Sequence, residues 1–529
     1  MRSKSGVPGE SIAIIGMACR FPGAKDVEAY WHNLVAGVSS IQPLPRERWV
    51  TKPTSQGQWS GLVEHVDSFD AAAFGISPAE ADNMDPQQRL VLEEAWHCFE
   101  DAAVPLERLR EKKTGVFIGT MSSDYLQELG MAGVTASRYA STGGFACIVA
   151  NRVSYVFGFR GPSMAVEAAC TSSLVALHEA KEALLRGECD YALVGGASLN
   201  LHPWKFDAFE QLRLFSPEGK SKTYDVDADG YAPGEGIGLV LLQRLSDARA
   251  EHNRVLALVR GTAVNHNGHG RGLTAPSMPA LRDVTLAASE DAGFGLDTVS
   301  YMESHGTGTS LGDPIEFEGL TQAFRKHTPA RNFCQLGSVK PNVGHLEPAS
   351  GVASLIKILL MLRHRWIAPS IDVKTVNPLV DFDASPFQFA RASAPWKSVR
   401  EDVPLRAGMT CFGFGGVNAQ VLVEAAPPDT AHREPAEQGP QVFTLSANSA
   451  ASLSNLVEAW STFASGKDFD GQRLEDVCGT LARGRQSLPY RLGVVVEERD
   501  GVRRFLAQAP QAERHGPRSW VLRVGSGVG

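Results

Sequence analysis

The first 425 residues alternate short apolar runs with segments of helical periodicity, and this alternation constrains the possible folds most strongly. Short apolar runs bounded by glycine or polar residues predict buried strands. They occur at 11–16, 114–119, 191–197, 238–243 and 255–259. The clearest helical segment between them begins at Asp85-Pro86, an N-cap followed by proline at the first helical position. Strands that alternate with helices predict an α/β fold with mostly parallel or mixed sheets covered on both faces.

A proline-rich, charged stretch divides the chain. Residues 426–440 contain four prolines and little apolar content, which predicts an exposed linker. Beyond it, strand-like runs at 441–447 and 491–498 flank a helical apolar stripe, and together they predict a small α/β subdomain at 441–510. Residues 511–529 lack periodicity, and we expect them to form an irregular tail.

Composition excludes several classes of protein. The net charge is −8 and no long basic stripe occurs, which disfavours nucleic acid as a partner. No apolar run reaches the roughly 18 residues that a membrane-spanning helix needs, and Met1–Glu10 lacks the apolar segment of a signal peptide. The eight cysteines form no CxxC pair, as is typical of reduced thiols in a cytoplasmic protein. We therefore expect a soluble cytoplasmic protein.

Cys170 is the first candidate for chemistry. It lies in VEAACTSSL (166–174), after a predicted strand and at the start of a helical pattern that Gly187 ends. The dipole and the unpaired N–H groups of a helix N-terminus stabilise a thiolate and lower the pKa of the thiol. The alternative is an unreactive buried cysteine, which is the usual state of a free thiol.

His305 is the second candidate. It lies in ESHGTGTSLGDPIE (303–316), directly after a predicted strand at 299–303. The glycines of this loop allow its backbone to approach other groups closely, and Thr307 and Thr309 add two hydroxyls. The alternative is a structural or surface histidine, and most of the 14 histidines of the chain must be of that kind.

His345 is the third candidate. It lies in GSVKPNVGHLEPASG (337–351), before a long apolar helix, and Lys340 in the same stretch is expected to end a strand. Two histidines in glycine-rich turns and a cysteine at a helix N-terminus form a Cys/His/His set for nucleophilic catalysis. The residues therefore predict a site that contains Cys170, His305 and His345.

Two further stretches could bind a ligand. TCFGFGGVN (410–418) predicts a glycine-rich turn between two strands, whose N–H groups could bind an oxyanion. It lacks the Lys-Ser/Thr pair of a phosphate-binding loop. The two histidines of HNGH (266–269) could be metal ligands, but no third ligand cluster lies near them in sequence, so a surface loop is predicted and no metal site is expected.

Seven stretches occur in a characteristic order: IAIIGMACRFPG (12–23), FGISPAEADNMDPQQRLVLE (74–93), VEAACTSSLVAL (166–177), DADGYAPGEG (227–236), HGTGTSLGDPIE (305–316), VKPNVGHLE (339–347) and FGFGGVNA (412–419). In this order they resemble the ketosynthase domain of type I modular polyketide synthases, in the thiolase superfamily. The resemblance covers residues 11–425, and residues 441–510 resemble the small α/β linker subdomain that follows such domains.

The resemblance implies a fold and a quaternary structure. The expected fold is a thiolase-type αβαβα layered sandwich of two similar halves, roughly 11–255 and 256–425. The family is usually homodimeric. Cys170 would come from the first half and both histidines from the second. The segments SIAIIGMA near residue 11 and ALVRGTAV near residue 257 are weakly similar, and are candidates for equivalent strands of a duplicated unit.

The resemblance also implies residue roles. Cys170 resembles the nucleophile that accepts an acyl chain from the phosphopantetheine of an acyl carrier protein. His305 and His345 resemble the pair that binds the malonyl thioester carbonyl and promotes decarboxylation, and Lys340 resembles the lysine that orients this pair. The expected protein partners are the acyl carrier protein, neighbouring polyketide synthase domains and a second copy of the chain.

Two backbone groups and two threonines also match the family. The backbone N–H groups of Cys170 and Phe414 match its oxyanion hole, and Thr307 and Thr309 match positions that contact the pantetheine arm. No cofactor is expected to bind the domain itself, because the substrates arrive on phosphopantetheine.

Several positions depart from the usual family motifs; they are Glu167, Thr171, Pro233, Ser310, Val417 and Gln420. Pro233 and Ser310 are similar to the residues of ketosynthases in trans-acyltransferase assembly lines. Val417 and Gln420 stand near the oxyanion turn where Thr and His are usual, and they affect the expected substrate shape but not the expected reaction.

The resemblance predicts a β-ketoacyl synthase that performs decarboxylative Claisen condensation. Two alternatives stay open: a branching ketosynthase, whose enolate adds to an unsaturated acyl chain, and a non-elongating domain that only transfers or gates acyl chains. Branching needs the same three residues, whereas the presence of His305 disfavours the gating alternative. Cys170 in VEAACTSSL disfavours a purely structural protein.

Overall fold

The structure is a computed structural model that describes residues 10–45, 47–49, 58–134, 137–269, 272–427, 439–509 and 522–524. The chain divides into a large unit of residues 1–98 and 112–426 and a small unit of residues 99–111 and 427–529. The segment 99–111, which the sequence analysis includes in the large domain, thus groups with the small unit. Apolar side chains form separate buried clusters in the two units.

The strands of the large unit are β1 (Ile12–Arg20), β2 (Ile41–Pro43), β3 (Trp59–Gly61), β4 (Thr114–Gly119), β5 (Ser163–Val166), β6 (Tyr191–Ser198), β7 (Gly236–Arg244), β8 (Ala257–His266), β9 (Tyr301–Glu303), β10 (Cys334–Gly337), β11 (Trp366–Ile367), β12 (Phe387–Phe389), β13 (Ala394–Pro395), β14 (Arg406–Phe412) and β15 (Val417–Ala425). The helices up to residue 364 are α1 (Val27–Val35), α2 (Pro78–Ala81), α3 (Pro86–Asp101), α4 (Leu106–Glu111), α5 (Tyr125–Met131), α6 (Ala140–Gly144), α7 (Cys147–Phe157), α8 (Ser172–Leu185), α9 (Trp204–Gln211), α10 (Leu245–Ala250), α11 (Met278–Ala292), α12 (Gly312–Arg325), α13 (Lys340–Val343) and α14 (Ser350–His364).

Eleven strands form one mixed sheet in the order β12-β10-β9-β14-β15-β8-β1-β7-β6-β4-β5. From β1 outward, β7 and β6 follow in antiparallel pairs and β4 and β5 in parallel pairs. From β8 outward, β15, β14, β9 and β10 repeat this pattern. The antiparallel pair β1–β8 joins the two sets. The repetition confirms two similar halves, in which β1 and β8 are equivalent strands.

Two buried helices lie against strands of both halves. α8 contacts β4 and β6 as well as β8 and β15, and α14 contacts β6 and β7 as well as β14. The two helices also contact each other, and α14 is buried from Ser350 to Leu362. A helix that is apolar on all sides is typical of a protein interior. α8 and α14 therefore form the central helical layer of the expected thiolase-type α/β fold.

Helices cover the outer faces of both halves. α11 packs against β8, β15 and α12, and α7 packs against β4 and β5. Because helices cover them on both sides, strands such as β4 are buried along their whole length, and this explains their continuous apolar sequences. The predicted strand at 114–119 has the observed bounds. The predicted strand at 255–259 is too short, since β8 extends to His266: the apolar run alone does not determine where pairing with β15 ends.

The small unit contains a three-stranded sheet, and its further elements are β16 (Gln441–Ala447), β17 (Tyr490–Val496), β18 (Leu522–Val524), α15 (Ala450–Ala464), α16 (Lys467–Asp470), α17 (Leu474–Arg483) and α18 (Arg499–Gln508). β17 pairs antiparallel with β16 and parallel with β18. Because β18 lies within 511–529, the prediction of an irregular tail does not hold for these three residues. Residues 428–438 of the predicted linker, and residues 510–521 and 525–529, lie outside the described residues.

Two further observations concern the chain as a whole. Among the described residues, no helix combines the length and the apolar character that crossing a bilayer requires. All eight cysteines are free; Cys147 is exposed and the other seven are buried.

Candidate active site

The side chains of Cys170, His305 and His345 meet in the interior of the large unit. One donor atom from each residue lies within 4.8 Å of the other two. The three residues are only 8%, 2% and 1% exposed. The two imidazole rings are 5.2 Å apart between centroids and nearly perpendicular, at 85°. The structure therefore brings together the three residues that the sequence analysis selected as a nucleophilic set.

Cys170 lies in a short 3₁₀ turn, Ala169–Thr171, directly before α8. Ala169 has a φ of 51°, a left-handed conformation that is uncommon for residues other than glycine. Two local hydrogen bonds hold the turn: Thr171 Oγ1 donates to the Ala168 carbonyl at 2.6 Å, and the Ala168 N–H donates to Ser172 Oγ at 2.9 Å. The side chains of Thr171 and Ser172 thus stabilise the strained backbone that presents Cys170.

Burial decides the protonation of the Cys170 thiol. Loss of solvation raises its pKa to about 12, and the negative charge of Glu347 acts in the same direction. Lys340 and the backbone N–H of Phe414 lower the pKa of the thiol but do not compensate. The expectation of a lowered pKa is therefore wrong, because the loss of solvation outweighs the groups that favour the thiolate. Cys170 is a neutral thiol at physiological pH.

The glycine-rich turn between β14 and β15 lies against Cys170. The backbone N–H of Phe414 faces the sulfur of Cys170 and lowers the pKa of its thiol. A Cβ atom at Gly413 would lie 2.9 Å from the carbonyl oxygen of Ala168 and 3.7 Å from the nitrogen of Cys170, so a side chain there would push the turn away. The turn is closed by the Gly416 N–H, which donates to the Gly413 carbonyl at 2.9 Å.

His266 supports this turn from β8. Its Nδ1 atom accepts the Gly268 N–H at 3.0 Å, so in the neutral ring Nε2 carries the proton. Nε2 lies 3.0 Å from the Gly415 carbonyl, to which it donates. A surface loop is expected for His266 because no third metal-ligand cluster lies near it in sequence. The structure shows that His266 ends β8 and contacts the glycine-rich turn.

His305 is fixed through its backbone. Its N–H donates to Glu316 Oε1 at 2.6 Å, and the Gly306 N–H donates to Glu316 Oε2 at 2.9 Å. The ammonium of Lys340 donates to the His305 carbonyl. Lys340 is the first residue of α13, and β10 ends at Gly337, so the expectation that Lys340 ends a strand is wrong. The helix turns the lysine back toward His305.

Two buried carboxyl groups of α12 hold the loop that carries His305. Burial raises the pKa of Glu316 to about 8 and that of Asp313 to about 6, although backbone N–H donors lower both pKa values. Asp313 accepts the Gly308 N–H at 3.1 Å. Thr307 and Thr309 project from this loop, and their hydroxyl oxygens are 3.3 Å apart. Both threonines therefore belong to the loop that carries His305.

His345 has a defined tautomer. Its Nδ1 atom accepts the Glu347 N–H at 3.0 Å and lies 2.8 Å from Ser350 Oγ. Because a backbone N–H only donates, Nδ1 is the acceptor and Nε2 carries the proton. Burial, with a further contribution from Lys340, lowers the pKa of both His345 and His305 well below the usual value. Both rings are therefore neutral, and His345 is a hydrogen-bond donor through Nε2.

Comparison with known families agrees with this geometry. Residues 9–248 match the family "Beta-ketoacyl synthase, N-terminal domain", and residues 256–374 match "Beta-ketoacyl synthase, C-terminal domain". The chain belongs to the β-ketoacyl synthases. Residues 377–495 match the "Ketoacyl-synthetase C-terminal extension", which includes much of the small unit.

Curated relatives of the ketosynthase are large polyketide synthases. It is 38% identical to polyketide synthase PksN of Bacillus subtilis over 92% of this chain and 9% of PksN. It is 40% identical to polyketide synthase ThaG of Burkholderia thailandensis over 93% of this chain and 9% of ThaG. The chain thus spans about a tenth of the length of these relatives.

Solved structures of ketosynthases superpose on almost the whole chain. The ketosynthase from module 6 of the bacillaene synthase from Bacillus subtilis is 35% identical, with a TM-score of 0.86 over 96% of this chain and 86% of that one. An oxazolomycin ketosynthase domain from Streptomyces albus is 37% identical, with a TM-score of 0.89 over 95% of this chain and 88% of that one. The chain is a ketosynthase domain of the polyketide synthase type.

The donor atoms of the ketosynthase site are also of the types that bind zinc, namely one thiol and two imidazoles. The ammonium of Lys340 opposes a cation there, since its charge lowers the pKa of both histidines and would equally repel a metal ion.

Proposed function

We propose that this ketosynthase condenses an acyl chain bound to Cys170 with a malonyl unit carried on the phosphopantetheine of an acyl carrier protein. The reaction is a decarboxylative Claisen condensation. The observation that carries this proposal is the meeting of Cys170, His305 and His345 within 4.8 Å, with the N–H of Phe414 aimed at the sulfur. One nucleophile, neutral hydrogen-bond donors and an oxyanion hole are the groups that this reaction needs.

Acylation comes first. The sulfur of Cys170 attacks the carbonyl carbon of the acyl thioester, the bond from that carbon to the pantetheine sulfur breaks, and the thiol proton leaves with pantetheine as its thiol. The oxyanion of the tetrahedral intermediate lies against the N–H groups of Cys170 and Phe414. Because the thiolate is the nucleophile and burial disfavours it, the thiol proton must leave Cys170 as the attack proceeds.

Decarboxylation follows. The malonyl thioester carbonyl accepts hydrogen bonds from His345, through Nε2–H, and from His305. The bond from the α-carbon to the carboxylate breaks, CO2 leaves, and the electron pair forms an enolate whose oxygen the two rings stabilise. Neutral donors suit this step, since a neutral ring stabilises the enolate without transferring a full proton to it. Burial and Lys340 keep both rings neutral.

Condensation completes the cycle. The enolate carbon attacks the carbonyl of the thioester on Cys170, and the bond from that carbonyl carbon to Sγ breaks. The resulting Cys170 thiolate takes one proton, so each turnover consumes one proton and releases CO2 and a 3-ketoacyl chain on the carrier protein. Lys340 holds the His305 carbonyl, and Thr307 and Thr309 contact the pantetheine arm.

A homodimer is part of the proposal. β5 is an edge strand of the eleven-stranded sheet, and edge strands offer unpaired backbone groups to another strand. Apolar side chains are exposed on this strand and on α7 beside it, including Met164 at 41% and Tyr155 at 84%. Exposed apolar patches of this kind mark interaction sites. We expect light scattering to give a dimer mass, and Tyr155→Glu with Met164→Glu to give a monomer.

The roles of the histidines are tested by separating the two half-reactions. We expect His305→Ala to keep acylation of Cys170, measured by intact mass, and to lose CO2 release from malonyl-loaded carrier protein. His269→Ala is the control, because His269 is exposed in the loop after β8. An unchanged rate of CO2 release in His305→Ala contradicts the assigned role.

A further inference from the structure

We propose that Lys205 and Glu347 form a positioning pair that fixes the tautomer and the orientation of His345. This inference rests on the proposed function, because it assigns the pair to the histidine that stabilises the enolate. Neither Lys205 nor Glu347 is among the site residues that the sequence predicts.

The two side chains form a buried ion pair. Lys205 lies on α9, and its ammonium is 2.7 Å from Glu347 Oε2. The side chains are only 6% and 2% exposed. Lys205 also donates to Asn200 Oδ1, whereas Glu347 Oε1 has no hydrogen-bond partner among the described residues. Lys205 is therefore the counter-charge of this carboxylate, and without it a buried negative charge would be unpaired.

The backbone of Glu347 connects the pair to the site. Glu347 begins the 3₁₀ turn Glu347–Ala349 and has a φ of 49°, in the left-handed region. Few residues other than glycine adopt this conformation without support. Here the ion pair holds the side chain at its far end, and in this conformation the Glu347 N–H donates to His345 Nδ1. The pair thus supports the hydrogen bond that places the proton of His345 on Nε2.

The pair also affects the charge around His345. The ring contacts His305 and Tyr231 and lies close to Cys170, and the ammonium groups of Lys340 and Lys205 both lower its pKa. Replacing Lys205 with methionine removes one cation and leaves the Glu347 carboxylate unpaired, and both changes raise the pKa of His345. Replacing Glu347 with glutamine leaves the ammonium unpaired and lowers this pKa. Protonation of His345 would put a proton on Nδ1, so that two donors face each other and the hydrogen bond from the Glu347 N–H is lost. CO2 release therefore fails at pH values below the pKa of His345.

The test compares Lys205→Met, Lys205→Arg and Glu347→Gln with Lys181→Met. Lys181 is a matched control, since its side chain is 5% exposed and forms an ion pair with Asp291 at 3.0 Å. Acylation is followed by intact mass with carrier protein that bears a saturated acyl chain. CO2 release from malonyl-loaded carrier protein is followed as a function of pH. Circular dichroism establishes that each variant is folded.

We expect Lys205→Met to slow CO2 release by roughly tenfold to a hundredfold, the range that misplacing a reacting group causes. Acylation should slow less than CO2 release, since the unpaired charge of Glu347 also raises the pKa of the Cys170 thiol. The acidic limb of the pH profile should move to higher pH in Lys205→Met and to lower pH in Glu347→Gln. Lys205→Arg should restore most of the rate. Glu347→Gln is nearly isosteric, and its pH shift tests the proposal even if Lys205→Met does not fold.

The positioning role is overturned if Lys205→Met equals Lys181→Met in both steps. It is also overturned if the variants slow both steps equally without moving the pH profile. If the unsubstituted chain releases no CO2, the proposed function itself fails and the positioning role fails with it. If His345→Ala abolishes CO2 release while Lys205→Met and Glu347→Gln do not move the pH profile, only the positioning role fails.

Discussion

The carboxylate of Glu316 binds the backbone of His305: Oε1 accepts the His305 N–H at 2.6 Å, and Oε2 accepts the Gly306 N–H at 2.9 Å. Each carboxylate oxygen therefore serves one N–H of the loop that carries the imidazole. α12 thus positions His305 although no atom of Glu316 is needed in the reaction itself.

Glu316→Gln should separate decarboxylation from acylation. Glutamine offers one acceptor oxygen and an NH2 group, so one of the two N–H donors loses its partner and faces another donor. We expect CO2 release to fall roughly tenfold to a hundredfold, while acylation of Cys170 stays nearly constant. Glu318→Gln, an exposed position on the same helix, is the control. Equal rates of CO2 release in the two variants would refute the positioning role of Glu316.

Gly413→Ala should disable the oxyanion hole. The added Cβ would lie 2.9 Å from the Ala168 carbonyl oxygen, so the turn must move and take the Phe414 N–H away from Cys170. Removing one oxyanion donor slows catalysis by about a hundredfold to a thousandfold, and we expect acylation to slow by this order. Gly415→Ala is the matched control, because a Cβ there meets no atom within 4 Å. Stopped-flow acylation assays distinguish the two variants.

The free energy of unfolding should fall as pH rises from about 4 to about 6, because Asp85 ionises earlier in the unfolded chain than in the folded protein. Burial raises the pKa of Asp85 to about 6, although Gln87 and Ser123 donate to the carboxylate. The folded state therefore keeps a proton that the unfolded chain releases from about pH 4 upward, so stability is present at low pH and is lost as pH rises. The loss is roughly 3 kcal/mol by pH 7.

Asp85→Asn does not titrate and should lack this loss. The free energy of wild type minus that of Asp85→Asn, from urea unfolding, should decrease between pH 4 and pH 7. Asp190→Asn is a control for which the pH dependence should have the opposite sign. Burial raises the pKa of Asp190, but the hydrogen bonds from Arg244 and Lys113 outweigh burial, so the pKa is lowered overall. A difference for Asp85→Asn that is independent of pH would contradict the account.

Lys357→Met should destabilise the large unit strongly. The ammonium of Lys357 is 2.8 Å from Glu303 Oε2, and both side chains are fully buried. Breaking a buried pair by removing one partner costs about 3–5 kcal/mol, whereas replacing both partners with apolar residues often costs little. Lys357→Met with Glu303→Leu should therefore be more stable than Lys357→Met alone. A double variant that is less stable than the single variant contradicts this explanation.

The reactive residues can be predicted from sequence because the short stretch around each of them is informative by itself. Cys170 follows a strand and precedes a helix, and the two histidines lie in glycine-rich turns, so short stretches of sequence are sufficient to select them. The α/β architecture is equally accessible, since buried strands such as β4 are continuously apolar. The equivalence of β1 and β8 is only weakly visible in sequence and becomes clear from the pairing pattern.

The supporting residues are not accessible from sequence because their roles depend on the tertiary fold. Lys205 and Glu347 meet only when α9 packs near the turn that follows His345, and His266 reaches Gly415 only through the pairing of β8 with β15. The pKa of Cys170 is a similar case: a helix N-terminus favours the thiolate, but the degree of burial reverses the sign of the shift.

Sequential loading followed by intact-mass analysis tests the central claim most directly. The chain is first incubated with acyl-loaded carrier protein and then with malonyl-loaded carrier protein. We predict an acyl adduct that is absent in Cys170→Ala, and then loss of this adduct together with CO2 release and a linear 3-ketoacyl chain, two carbons longer, on the carrier protein. A branched product would identify a branching ketosynthase. An adduct on Cys170 that no malonyl-loaded carrier protein removes or elongates would contradict condensation and indicate acyl-chain gating.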